Sequence, residues 1–154
     1  MKRSWMMSGA LLGVIVLLVE AQAPVRHDVK GTLKGTPYMM THLFTGPDGQ
    51  THAEEIEAKF IRNGNADVFK LMNTAGAELR RAPAGTVSDW HTAPRRQYVI
   101  TLAGMGEVEL ADGKKIRLGP GHIDFVEDLT GKGHITRVVG SEDRITLQLP
   151  VTDR

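Results

Sequence analysis

A short tract, Trp90-His91-Thr92-Ala93-Pro94-Arg95-Arg96-Gln97, and one distant residue, His134, hold the side chains that could do chemistry. Imidazole rings can move protons, and their neutral ring nitrogens bind divalent transition metals. Gln97 adds an amide oxygen. Arg95 and Arg96 carry planar guanidiniums, the groups that grip a carboxylate or phosphate in bidentate fashion. Trp90 can line the mouth of a site or pack inward. Other chemistries are absent. With no cysteine there is no thiol catalysis, disulfide or cysteine-zinc site, and neither G-x-x-x-x-G-K-[ST] nor G-x-S-x-G occurs.

The elements that must position these residues are strands. Short apolar runs are cut by Gly46-Pro47-Asp48-Gly49, Asn63-Gly64-Asn65, Asp112-Gly113, Gly119-Pro120-Gly121 and Gly131-Lys132-Gly133. Many short strands at even spacing point to an all-β sandwich or closed barrel. The segment Ala53-Glu54-Glu55-Ile56-Glu57-Ala58-Lys59 suits a strand or a helical turn equally. In Gln97-Tyr98-Val99-Ile100-Thr101-Leu102-Ala103, alternation puts Gln97, Val99 and Thr101 on one face and Tyr98, Ile100 and Leu102 on the other. If Gln97 faces a lumen, the apolar set faces outward. That patch needs cover, from a second copy in a homodimer or from the chain's own residues 36–72.

The spacing continues past these residues. Gly85, five residues, His91, one residue, Ala93, three residues, Gln97, six residues, Gly104 follows the first cupin motif, with alanine at its second histidine and glutamine at its glutamate. Pro120-Gly121 and His134 follow the second motif more loosely. The chain resembles the cupin superfamily, most closely small single-domain cupins with a W-H-x-A-P-R-R-Q-Y-V-I tract. The resemblance spans residues 36–151, with the motif core at 85–139. It implies an all-β double-stranded β-helix, a jelly-roll-like barrel.

It also implies that His91 and His134 meet in the lumen as catalytic groups or as ligands of zinc, nickel, manganese or iron, with Gln97 as a weak third ligand. The full motif offers three nitrogens and a carboxylate, so an ion here would bind less tightly and leave positions open for Lewis-acid chemistry. A donor such as His52 or His122 reaching in would compensate for Ala93. Metal-free relatives that epimerise sugars use a histidine oriented by a carboxylate, for which Asp124, Glu127 and Asp128 are all candidates here. The expected function is binding of a small, anionic molecule, with Arg95, Arg96 and Trp90 touching it. Metal-assisted dioxygenase, isomerase or lyase activity is one outcome; a metal-free binding or sensing module is the other. The remaining histidines, His27, His42, His52 and His122, read as surface or internally satisfied groups.

At 154 residues and 41% hydrophobic content the chain holds one packed domain. Lys2 and Arg3, an apolar run from Trp5 to Val19, and small residues at Ala21 and Ala23 form the layout of a secretory signal peptide over residues 1–21, followed by a loose arm over 22–35. The apolar run is shorter than the ~20 residues of a membrane span, though an uncleaved anchor is the alternative. Export implies a periplasmic or secreted protein without stable membrane insertion. Cleavage after Ala21 takes the net charge from +1 to 0, leaving no global field to attract nucleic acid or anionic lipid.

Overall fold

The structure, a computed structural model, describes residues 36–152. The leader over 1–21, the arm over 22–35 and His27 lie outside the described residues.

The described chain folds as twelve strands: β1 (Met39–Thr45), β2 (Thr51–Glu57), β3 (Ile61–Asn63), β4 (Ala66–Val68), β5 (Glu78–Ala82), β6 (Val87–His91), β7 (Gln97–Ala103), β8 (Met105–Glu109), β9 (Lys115–Leu118), β10 (Ile123–Glu127), β11 (His134–Val139) and β12 (Arg144–Pro150). A six-stranded sheet in the order β2-β1-β10-β7-β12-β5 faces a four-stranded sheet in the order β6-β11-β8-β9. Among the described strands β1 and β10 pair in parallel and every other ladder is antiparallel. This is the all-β, cupin-type jelly-roll barrel that the resemblance implies.

The ambiguous segment around Glu54 is a strand, because β2 pairs with β1 along its whole length. A ladder that long satisfies backbone groups a single helical turn would leave open. At the turn signalled by Asn63-Gly64-Asn65 the chain makes a small hairpin, β3 with β4.

Alternation sorts the faces as the pattern of β7 requires. Gln97 and Val99 face the lumen, and Thr101, fully buried, meets Arg144 there. On the outer face the cover is divided. Tyr98 is buried against Phe125 and its hydroxyl accepts from the Met72 amide, so residues of the chain itself shield it, whereas Leu102 stays exposed.

The interior has two halves. Leu43 and Val126 from the large sheet meet Val108 and Leu118 from the small one, with Ala93 and Leu110 completing an apolar cluster. Burying a side chain such as Leu43 contributes roughly 1.5–3 kcal/mol. The other half, between β5, β7 and β12 on one side and β6 and β11 on the other, is polar and opens into a cavity that Leu43, Ala93, Val108, Leu118 and Val126 also line.

Candidate functional site

The open half is a cavity of about 500 Å³ whose lining includes His91, Gln97, Asp124, His134 and Arg144. His91, the last residue of β6, and His134, the first of β11, are direct register partners. Their ring centroids lie 4.6 Å apart. Gly133 makes that pairing close: it takes a φ of 74°, and a Cβ there would strike the backbone of His91.

Both rings are oriented from behind. His91 Nδ1–H donates to the Asp89 carbonyl at 2.7 Å, and His134 Nδ1–H donates to Asp128 Oδ2 at 2.7 Å. Carbonyl and carboxylate oxygens only accept, so each Nδ1 carries the proton and each Nε2 is left as an acceptor. Asp128 is fully buried. Its Oδ2 also accepts from the Thr51 hydroxyl at 2.9 Å, while Oδ1 has no hydrogen-bond partner among the described residues.

Of the three candidate carboxylates, Asp128 is therefore the one that orients a lumen histidine. Glu127 points the other way, to His42 at 2.7 Å and Arg96 at 3.0 Å. Asp124 faces the lumen but belongs to a separate group. His122 Nε2 lies 3.0 Å from Asp124 Oδ1, and the Thr41 hydroxyl lies 3.1 Å from the same nitrogen. Burial alone pushes the His122 pKa down, but the Asp124 hydrogen bond and the charges of Asp124 and Glu55 outweigh it and raise the pKa, against an opposing effect of Arg144.

Arg144 is a site residue without a role in the sequence reading. Its guanidinium hydrogen-bonds the Thr101 hydroxyl at 2.8 Å and lies 4.0 Å from Asp124 Oδ2. A Cβ at Gly106 would fall within 2.7 Å of that guanidinium, so the glycine makes its room. Burial pulls the Arg144 pKa down, partly offset by Asp124. The signal was present in β12: in Arg144-Ile145-Thr146-Leu147-Gln148-Leu149 the polar positions share the inner face, as in β7.

Arg95, Arg96 and Trp90, the expected ligand contacts, lie outside the cavity lining. Arg95 pairs with Glu78 at 2.9 Å, and Arg96 turns to the outer face over the Phe125 ring. Trp90 is partly exposed beneath the Lys132 ammonium, 4.0 Å from its ring.

The donor set falls short of a cupin metal centre. The Gln97 oxygen is already engaged, accepting a hydrogen bond from Arg95 at 3.2 Å. Ala93 lines the cavity with a methyl group and offers no donor atom. His52 pairs with Asp48 and His122 with Asp124, so neither replaces the missing ligand. Among the described residues no group of three His, Cys, Asp or Glu side chains is placed to hold an ion. Two imidazoles alone are fewer donors than the three protein ligands that catalytic zinc sites use.

No protein-family model and no curated protein matches the sequence. Among solved structures the chain is similar to the cupin domain of Schizosaccharomyces pombe Cnp3, with 14% identity, a TM-score of 0.41, and coverage of 75% of this chain and 84% of that one. It is also similar to an RmlC-like cupin from Desulfovibrio desulfuricans, with 15% identity, a TM-score of 0.36, and coverage of 60% and 95%. A third is a putative ethanolamine utilization protein from Salmonella typhimurium, with 15% identity, a TM-score of 0.37, and coverage of 77% and 100%. At that likeness nothing about activity passes from them to this chain.

Proposed function

We propose that the lumen binds a small polar molecule and moves a proton on it through His134, without a metal. The observation that carries this reading is the buried Asp128 carboxylate, 2.7 Å behind His134. With Nδ1 held by Asp128, Nε2 is the atom that takes the proton from the ligand. The ring then carries a positive charge, and the Asp128 carboxylate stabilises it in place. His91, with Nε2 also free, is the second carrier needed to return a proton at another position. The reaction class is that of an isomerase or lyase acting on a carbon acid. In the same proposal the leader-like start places this chemistry in the periplasm or outside the cell.

The test is deuterium incorporation from heavy water into a panel of hydroxy acids and sugars, followed by NMR. Exchange is expected in the wild type and should fall about 10²–10⁴-fold in His134→Asn and in Asp128→Asn. A folded wild-type protein that exchanges none of the panel would leave a binding or sensing module. Stoichiometric metal in purified protein, lost in His91→Ala and His134→Ala, would overturn the metal-free mechanism.

A further inference from the structure

Two arginines, neither singled out by the sequence, share one end of the cavity. Arg144 on β12 pairs in register with Ala82 on β5, and Thr146, the next inward residue of β12, pairs with Arg80. Arg80 and Arg144 are thus diagonal neighbours on adjacent strands, and both line the lumen. Diagonal neighbours stand about 7–8 Å apart, within the reach of two guanidiniums that converge on one anion. Arg80 has no carboxylate partner among the described residues, and Asp124, which faces Arg144, is 3.0 Å from His122 against 4.0 Å from the guanidinium. Two guanidiniums against that one carboxylate leave the lining with a single uncompensated positive charge. That suits a carboxylate better than a phosphomonoester, which carries about −1.5 to −2 near neutral pH.

The wall between the arginines and the histidines is hydroxylated. Ser88 on β6 faces Thr136 on β11 in register, and Thr146 and Gln148 follow Arg144 along β12. All four line the cavity. None makes a side-chain hydrogen bond to another described residue, although Thr146 and Gln148 are buried. The polar atoms of these residues are not sealed in the core but open onto the cavity, where the hydroxyls of a ligand can meet them.

The distance between the two ends sets the ligand's length. The Arg144 guanidinium lies on Gly106, whose register partner is Val138. Val138 is four residues along β11 from His134, about 13 Å at the rise of a strand. Subtracting a hydrogen bond of about 3 Å at each end leaves room for a skeleton of about five to six carbons.

We infer that the ligand of this lumen is a polyhydroxylated monocarboxylic acid of sugar-acid type, its carboxylate held between Arg80 and Arg144 and its far end presented to His134 and His91. The inference rests on the proposed reading of the lumen as a ligand site and names the substrate class of that site.

The test is calorimetric titration of the full-length protein with D-glucuronate, D-glucose and D-glucose 6-phosphate. Glucuronate is expected to bind at least tenfold more tightly than either of the others. Arg80→Gln, at an exposed strand edge where folding is not at stake, should weaken glucuronate at least tenfold without changing the weak binding of glucose. Arg144→Lys should weaken it while preserving the fold by circular dichroism. Binding of glucuronate no tighter than glucose, or unaffected by Arg80→Gln and Arg144→Lys, would overturn the assignment, as would a preference for the phosphate. Tight, arginine-dependent glucuronate binding without deuterium exchange would sustain this inference and remove the proton-transfer mechanism.

Discussion

His122 shows at the scale of one residue how the site's polar groups couple to stability. Asp124 and Glu55 overcome the effect of burial and lift its pKa above the ordinary 6.5. A raised pKa means that the folded state binds the proton more tightly than the unfolded chain does. The resulting stabilisation is fully present below the unfolded value and is lost as pH rises through the folded one. Thermal midpoints measured from about pH 6 to about pH 8 are therefore expected to fall, and the slope should flatten in His122→Gln, because that variant has no proton to lose. An unchanged slope would mean that another group carries the dependence. Asp128 acts differently. It is tied to Thr51 and His134, and its geometry serves the orientation of a ring.

At the scale of the element, the register of β6 with β11 brings His91 and His134 together, and Gly133 fixes that register. Gly133→Ala combines strain at positive φ, of order 1–3 kcal/mol, with a clash against the backbone of His91. It should lower stability by at least that much in urea unfolding and impair the site as well. Gly113, with a φ of 84° and open space around its missing side chain, is the control: Gly113→Ala should incur only the strain and leave the site intact.

Across the whole molecule the large sheet is built with its polar face inward and its apolar face outward between β10 and β5. Leu79, Leu147, Ile100 and Ile123 are successive register partners on the outer face, and Leu79 is 73% exposed. A second copy laid against this row is the expected cover. Sedimentation velocity should show a dimer that Leu79→Lys converts to monomers; a monomeric parent protein would end that expectation.

Much of this was legible in the residues themselves. Alternation in β7 placed Gln97 inward and Tyr98 outward because side chains along a strand switch faces at every step, whatever the strand pairs with. The same rule, carried through Ile123-Asp124-Phe125-Val126-Glu127-Asp128, separates Glu127 from the two aspartates. It cannot choose between Asp124 and Asp128. That choice, the position of Arg95 and Arg96 outside the cavity lining, and the diagonal placement of Arg80 beside Arg144 all depend on which strands become neighbours and in what register. A local period carries no information about partners far away in the chain, so the sequence determined the faces, and only the closed barrel decided which side chains meet across them.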